Sequence, residues 1–239
     1  LYFYVLSAID AAGNMSDFTS EAAIFPSASR YSILFSSSPD PDEYQYGTIN
    51  IGEGNLTDSL GIELWFKTSS TDDVILYRKN GSGDDEAYWS LGIENSRLKF
   101  NGLTQDGNPF SMVSNGTFQP DQWEHFGIYV QSDSIRMYWG GNKEATIVRP
   151  AGDLARKSRI WVGTKGSNII PDFSDQYDGS IYDLRFWSTI PQPSLLNKWK
   201  WFTVPANRIT DLAALYEFSV GSGNTLYDRS GNGITFSFD

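Results

Sequence analysis

The stretch "QYDGSIYDLRFWSTIPQPSLLNKWKW", residues 176–201, carries the pattern that decides the fold. It opens with the turn pair Asp178-Gly179 and continues in strict alternation, with Tyr182, Leu184 and Phe186 sharing one phase. Alternation with a period of two residues is typical of a β-strand that buries one of its faces. We therefore predict a strand here, with these three side chains directed into a core.

Five further segments repeat this alternation. Their in-phase apolar residues are Ile62, Leu64 and Phe66; Trp89, Leu91 and Ile93; Phe126, Ile128 and Val130; Ile135, Met137 and Trp139; and Ile160 and Val162. Turn signals separate them, namely Asn80-Gly81, Asn101-Gly102, Asp106-Gly107, Asn115-Gly116 and Gly140-Gly141. Short strands at this spacing predict an antiparallel sandwich or barrel. Short helices are predicted from Leu195 to Trp201, after two prolines, and near Asp211 to Phe218.

The composition limits the classes of partner. The chain has 239 residues and a formal net charge of −11, so it repels nucleic acid phosphates and anionic membranes, whereas neutral sugars and Ca²⁺ are compatible with it. It has no cysteine, which excludes disulfides and thiolate metal sites. The sequence contains no run of 18 apolar residues, so no membrane-spanning helix is predicted.

A domain boundary is predicted near Pro26. The string "YVLSAIDAAGNMS", Tyr4 to Ser16, resembles the last hairpin of a fibronectin type III-like module. We therefore expect residues 1–25 to be such a hairpin or a linker, and residues 26–239 to form the main domain. The hairpin could mediate a homo-oligomer. The chain starts at Leu1 and is expected to be a fragment or processed form of a modular, exported and most simply bacterial extracellular protein.

From about Ser29 onwards, the order of motifs resembles a laminin G-like or concanavalin A-like jelly-roll domain. The motifs are "SLGIELWFKTSS", "YWSLGIENSRLKF", "DQWEHFGIYVQSDSIRMYWGG", "RIWVGTKG", "YDGSIYDLRFW" and "LAALYEFSVGSGNTLYDRSGNG". The resemblance implies an all-β, antiparallel two-sheet sandwich with one or two short helices. It also implies a recognition role, with Ca²⁺ commonly held at one rim of the sandwich.

The second phase of the opening strand allows two interpretations. Ile181, Asp183, Arg185 and Trp187 share this phase, and Trp65 and Trp161 are out of phase in their own strands. If those strands are neighbours, they present an aromatic and charged binding surface. Alternatively, loops and the C-terminal segment cover this face, and Asp183 pairs with Arg185; we favour this alternative because large aromatic side chains are usually buried.

Candidate Ca²⁺ ligands are Asp40, Asp42 and Glu43 in a proline-constrained loop, with Asp178 at its glycine turn. Ca²⁺ takes six to eight oxygen ligands from carboxylates, amides and backbone carbonyls. The resemblance also places such a site in these loops. The alternative is that they are solvated acidic loops.

A sugar site requires an aromatic platform beside fixed polar groups. The candidates are Tyr88, Phe110, Trp139 and Trp187 as platforms, with Asn108 as a polar partner. Tyr88 and Phe110 are the ones expected to be exposed. Trp139 shares its phase with core residues, so packing is its alternative role.

Catalysis has weaker support in the sequence. Glycoside hydrolysis needs two facing carboxylates, and the compact E-x-D-x-x-E strand of catalytic relatives is absent. Glu63 and Glu124 are single carboxylates on separate strands, and Asp183 is isolated. The one histidine, His125, is expected to be structural. We predict a non-catalytic module that binds a glycan or a cell-surface receptor, with a structural or protein-interaction domain as the alternative.

Overall fold

The computed structural model describes residues 31–36, 45–52, 59–80, 87–156, 159–166, 170–201, 204–218 and 223–238. Within them the strands are Ile33–Phe35 (β1), Gly47–Ile49 (β2), Leu60–Lys67 (β3), Asp73–Lys79 (β4), Tyr88–Glu94 (β5), Arg97–Leu103 (β6), Pro109–Val113 (β7), Glu124–Val130 (β8), Ser134–Trp139 (β9), Asn142–Val148 (β10), Ile160–Val162 (β11), Lys165–Gly166 (β12), Pro171–Asp172 (β13), Gly179–Trp187 (β14), Leu212–Tyr216 (β15), Thr225–Leu226 (β16) and Phe236–Phe238 (β17). Helix α1 spans Pro193–Trp199, and a short 3₁₀ helix spans Ala206–Asp211.

Two large antiparallel sheets stack face to face. One has the order β1-β14-β3-β8-β9-β10, with β15 also paired to β14. The other has the order β16-β17-β2-β11-β4-β5-β6-β7, and β12 and β13 form a separate hairpin. Each sheet combines a run of consecutive strands, β8-β9-β10 or β4-β5-β6-β7, with strands from distant parts of the chain, such as β14 beside β3 and β11 beside β4, as in a jelly roll. The predicted all-β sandwich is confirmed.

The in-phase residues of both sheets meet in one apolar core. Ile62, Leu64 and Phe66 from one sheet and Trp89 and Leu91 from the other are all fully buried in it. The other in-phase residues named from the sequence are buried as well, except Trp139, which is partly buried at the margin of the core. Period-two alternation therefore identified the core face of most strands.

Strand β14 departs from strict alternation because of a β-bulge. Tyr182 pairs with Trp65 and Arg185 pairs with Glu63, so Asp183 and Leu184 together oppose one residue of β3. Asp183 has a φ of 51°, a left-handed conformation that aspartate tolerates better than most residues. The bulge reverses the phase, so that Ile181 faces the core and Tyr182 the outer face, contrary to the prediction.

Two other local predictions need correction. Asn101-Gly102 does not form a turn but lies inside β6, where a side chain at Gly102 would collide with the ring of Phe110. The glycine is needed for close packing. Residues Asp211 to Phe218 do not form a helix, because the 3₁₀ helix ends at Asp211 and strand β15 follows. The helix predicted from Leu195 onwards is confirmed as α1.

The fibronectin-like hairpin, the boundary at Pro26 and any oligomer contact through the hairpin fall on residues 1–30, outside the described residues. These remain predictions. No helix in the described part of the chain has the length and apolar character needed to cross a bilayer.

Candidate functional site

A cavity of about 410 Å³ opens on the outer face of the eight-stranded sheet. Ser90, Gly92 and Asn101 form its floor, and Tyr77 and Tyr88 line one side. Charged residues from the β3–β4 turn and the start of β4, from β5 and β6, and from β12 and the segment after β13 complete the lining: Asp72, Asp73, Glu94, Lys99, Lys165 and Asp175. We call this the tyrosine cavity.

The two tyrosines form one continuous aromatic wall. Their rings are stacked, with centroids 6.1 Å apart and an angle of 28° between the ring planes, and both side chains are half-buried. Register places Tyr77 beside Ser90, and Ser90 beside Asn101, so the wall adjoins a row of polar side chains across three strands. Burial and the neighbouring Tyr88 raise the pKa of Tyr77 to about 12, which keeps its hydroxyl neutral and able to donate.

The rim of the tyrosine cavity is acidic. Asp73 Oδ2 accepts a hydrogen bond of 3.0 Å from the backbone N–H of Asp178. Burial raises the pKa of Asp73 to about 6, and the nearby carboxylates of Asp178 and Asp175 add to the increase. Lys165 forms an ion pair with Asp175, and Lys99 forms one with Glu94. The cavity thus offers both donors and acceptors around an aromatic face.

Gly92 keeps the floor of the cavity low. A Cβ atom at this position would collide with the backbone carbonyl oxygen of Asp73, which approaches at the irregularity between Val74 and Leu76. Glycine lets the two strands pair closely and leaves no side chain to fill the cavity.

Of the five predicted ligand-binding residues, Tyr88 lines this cavity. Phe110 was expected to be exposed, but it is only 7% exposed, and its ring packs 5.4 Å from that of Phe100 in the core. Asn108 lies in the β6–β7 turn, where its side chain donates to the carbonyl oxygen of Ala151 at 3.0 Å. Phe110 is therefore a core residue, and neither it nor Asn108 lines the tyrosine cavity.

The two predicted tryptophans also have packing roles. Trp187 is completely buried and stacks on Trp199 of α1, with ring centroids 6.0 Å apart, so no ligand reaches it. Trp139 is partly buried, and its indole N–H donates to Glu124 Oε2 at 2.7 Å. Neither lines the tyrosine cavity.

Of the four predicted metal ligands, the structure describes one. Asp40, Asp42 and Glu43 fall outside the described residues. Asp178 is exposed beside Asp73, at the tip where β14 begins. The residues that the structure describes contain no group of three histidine, cysteine or carboxylate side chains able to hold a metal ion.

The outer face of the seven-stranded sheet is covered by α1 and the following segment. Beneath α1, Arg185 donates to both oxygens of Asp183 at 2.9 and 2.5 Å, and its Nη1 lies 3.5 Å from Glu63 Oε2. The same Nη1 donates to the carbonyl oxygen of Trp199 at 3.1 Å. The predicted pairing of Asp183 with Arg185 is thus present. Trp161 lies on the other sheet, so its strand and that of Trp65 are not neighbours.

This buried cluster is not arranged for glycoside hydrolysis. Glu63 and Asp183 share one guanidinium group inside the protein instead of facing each other across a groove. Burial raises the pKa of Glu63. The hydroxyl group of Tyr129 donates a hydrogen bond to Oε1 of the same carboxyl group. His125 is buried 3.9 Å from Glu63, and burial lowers the pKa of its imidazole far below the usual value. Through Arg185 and the carbonyl oxygen of Trp199, the cluster contacts the end of α1.

Tyr77, Ser90 and Asn101 were not identified from the sequence. Ser90 shares the phase of Tyr88, which was a usable signal, and Tyr77 is the out-of-phase residue of its own strand. Asn101 was hidden because the Asn-Gly pair was interpreted as a turn. Their meeting depends on β4, β5 and β6 being neighbours, which alternation alone does not reveal.

The stacked sheets, short helices and antiparallel register define the class of protein as a jelly-roll β-sandwich. Residues 41–194 match the family model described as the concanavalin A-like lectin/glucanases superfamily. The chain belongs to this superfamily. No match was found among curated protein sequences.

Solved structures with this fold are similar in shape but distant in sequence. A putative carbohydrate-binding protein from Bacteroides ovatus is 13% identical, with a TM-score of 0.61, over 99% of this chain and 67% of the other. The CBM40 module of a Ruminococcus gnavus IT-sialidase, bound to α2,3-sialyllactose, is 13% identical, with a TM-score of 0.54, over 70% and 95%. Domains LG4-5 of the mouse laminin α1 chain are 12% identical, with a TM-score of 0.54, over 68% and 44%. At these identities the comparison shows the fold.

Proposed function

We propose that this domain is a non-catalytic recognition module that binds neutral glycans in the tyrosine cavity. The observation that carries the proposal is the stacked Tyr77–Tyr88 wall beside Ser90 and Asn101 on an open sheet face. Aromatic rings contact the apolar C–H face of a sugar, while serine and asparagine exchange hydrogen bonds with its hydroxyl groups. The volume of about 410 Å³ lies within the usual range for a ligand pocket.

The charges of the cavity favour a neutral ligand. Lys165 and Lys99 are each paired with a carboxylate, Asp175 and Glu94 respectively. Asp73 and Asp72 add further negative charge, so a ligand with its own carboxylate would be repelled. Paired and partly ionised side chains can still serve as acceptors for sugar hydroxyl groups.

The fold comparison supports a binding role. A protein described as a putative carbohydrate-binding protein and a module described with a bound sialyllactose share the sandwich architecture. Both are too distant to transfer a ligand or a residue role to this chain. The evidence from this chain for glycan binding is therefore the tyrosine cavity. The proposed partner is a glycan, either free or attached to a cell-surface receptor.

We further propose that Ca²⁺ orders the rim, and that the domain acts outside the cell. The metal would be held by Asp40, Asp42, Glu43 and Asp178, of which Asp178 lies beside the rim residue Asp73. A cation there would offset the repulsion between neighbouring carboxylates. The extracellular location is supported by the fibronectin-like string before Pro26.

Screening the full chain on an array of neutral and charged glycans, with Ca²⁺ and with chelator, tests the proposal. The strongest neutral oligosaccharide is then titrated into the wild type and into Tyr88→Ala. We expect at least about a tenfold loss of affinity on removal of the aromatic wall. Tyr227→Ala is the matched control, because Tyr227 is 76% exposed and does not line the cavity.

A broad array with no signal under either condition would reject glycan recognition and favour the protein-interaction alternative. Equal affinity of the wild type and Tyr88→Ala for a glycan would reject the tyrosine cavity as its site.

A further inference from the structure

A second cavity, of about 530 Å³, lies on the outer face of the seven-stranded sheet, beyond the end of α1. We call it the tryptophan pocket; its principal lining residues are Trp65, Lys67, Trp123, Tyr182, Lys200 and Trp201. It shares no lining residue with the tyrosine cavity. The sandwich therefore carries two separate candidate sites on opposite sheets.

Three tryptophans form the walls of the pocket. Trp201 is 48% exposed, and its ring lies 4.6 Å from that of Trp65, tilted by 46°. The indole N–H of Trp65 donates to the carbonyl oxygen of Lys200 at 2.9 Å, which fixes this wall to the chain leaving α1. Trp123 packs edge-on against Tyr182, with centroids 6.3 Å apart. An exposed tryptophan held in this way is a pre-organised stacking surface.

The ring of Trp201 is the part of this wall that a ligand can reach, since its side chain is 48% exposed. An indole face can contact the apolar C–H groups of a pyranose, so a sugar ring is a suitable occupant of the pocket.

Two lysines give the pocket a positive charge. Lys67 Nζ lies 5.5 Å from the centre of the Trp123 ring, and Lys200 Nζ lies 5.4 Å from that of Trp201. Lys200 also donates to the carbonyl oxygen of Gly140, which holds its ammonium group in place. Among the described lining residues, Asp121 is the one carboxylate, and Lys67 is in no ion pair within the described part of the chain.

This local charge selects against a cationic ligand and for an anionic one. The aromatic faces that could hold a cation are already next to ammonium groups, which would repel it. A carboxylate would instead form charge-assisted hydrogen bonds with two lysines in a chain whose net charge is −11. The tryptophan pocket thus combines a local positive charge with aromatic rings on which a ligand can stack.

We infer that the tryptophan pocket binds an acidic sugar residue, with its ring against Trp201 and Trp123 and its carboxylate between Lys67 and Lys200. This site is independent of the proposed neutral-glycan site. The two sites together would let one module recognise neutral and acidic portions of glycans by opposite faces.

Tryptophan fluorescence of the full chain tests the inference, since the lining of the tyrosine cavity contains no tryptophan. The probes are trigalacturonic acid and its fully methyl-esterified form, which keeps the rings and removes the charges. We expect the acid to change the emission of the wild type saturably, and the ester to bind at least about fivefold more weakly.

Matched variants assign the signal. Lys67→Gln and Trp201→Ala should each weaken the binding of trigalacturonate at least about fivefold. Lys143→Gln is the charge-matched control, because Lys143 is exposed on β10 and does not line the pocket. Tyr88→Ala should leave trigalacturonate binding unchanged, which keeps this result separate from the test of the tyrosine cavity.

Three results would overturn the inference: no saturable change with trigalacturonate, equal binding of the acid and its ester, or equal weakening by Lys67→Gln and Lys143→Gln. Binding of benzoate without binding of trigalacturonate would also overturn it, because the pocket would then select an aromatic carboxylate. Near-native circular dichroism and thermal unfolding of each variant establish that folding is intact.

Discussion

The outer faces of the two sheets have similar residue types but different environments. On the eight-stranded sheet, Tyr77 and Tyr88 flank an open cavity with polar side chains at its floor. On the seven-stranded sheet, α1 covers Trp187 and a buried cluster of Glu63, Asp183 and Arg185. Aromatic and charged residues on an outward phase therefore indicate a binding surface only where no other element of the chain lies over them.

The covered face shows how charge can be buried at a β-bulge. The bulge at Asp183 brings its carboxylate beside the guanidinium group of Arg185, which also reaches Glu63. Each buried charge then has a partner, as burial requires. The floor of the tyrosine cavity carries the uncharged side chains of Ser90 and Asn101, so no charge pairing is needed there.

The largest expected effect is on the covered face. Arg185→Met removes the positive charge that two buried carboxylates share, leaving them without a cation. We expect the free energy of unfolding to fall by about 3–5 kcal/mol. Urea denaturation measures this loss, and Arg97→Met on an exposed position serves as the control. A loss similar to that of the control would show that this face is not held by its charge cluster.

A substitution on the open face should have a smaller effect on stability. Tyr88→Ala removes a half-buried ring from an outward phase, and we expect a loss of about 1 kcal/mol or less in the free energy of unfolding. Its effect on neutral-glycan affinity should be larger, at about tenfold or more. If Tyr88→Ala were strongly destabilised but bound the glycan with normal affinity, the assignment of this face to binding would be contradicted.

A third prediction concerns the pH dependence at the rim. The pKa of Asp73 is about 6 in the folded protein and near 3.8 without the fold, so folding favours its protonated form. Its contribution to stability is therefore largest below pH 4 and is lost as the pH rises through 6. Asp73→Asn should remove this pH-dependent loss of stability. We expect the loss to be about 1 kcal/mol in the free energy of unfolding, after allowance for the partial exposure of the Asp73 side chain.

Urea denaturation of the wild type and Asp73→Asn at pH 4 and pH 7 measures the difference, and ¹³C NMR titration of the carboxyl group reports its pKa directly. A pKa below 4.5 for Asp73, or equal pH dependence of the two proteins, would contradict the prediction.

The smallest expected effect is that of Ca²⁺. Millimolar Ca²⁺ should raise the melting temperature by about 2–4 °C, since a ligand that binds only the native state stabilises it. Asp178→Ala should reduce this increase, whereas Asp106→Ala, at another exposed turn, should not. An unchanged melting temperature in Ca²⁺ would argue against the metal, and an unchanged increase in Asp178→Ala would remove this residue from the site.

The core could be predicted from the sequence because side-chain direction alternates along a strand. This rule placed Leu64, Trp89 and Ile128 in the core without any knowledge of strand order. It failed at Ile181 and Tyr182, because a one-residue bulge reverses the phase and has no reliable local signature. Proline and the following helix formers were sufficient to predict α1.

The sites could be predicted only in part, because they depend on contacts between distant segments. Tyr88 was identified as a candidate, but its partners Tyr77 and Asn101 adjoin it only through the order β4-β5-β6. Trp187 and Phe110 have the composition of a sugar platform, but α1 covers one and the core encloses the other. Composition indicates what a residue can bind, whereas tertiary packing decides whether a ligand reaches it.

The most direct test of the open-face account is backbone amide NMR of the domain titrated with its strongest neutral oligosaccharide. The account predicts that shift changes concentrate at residues 77, 88–92 and 99–101, with those of Glu63 and Arg185 unchanged. Changes concentrated on β3 and β14 beneath α1, with the tyrosine cavity unaffected, would contradict it.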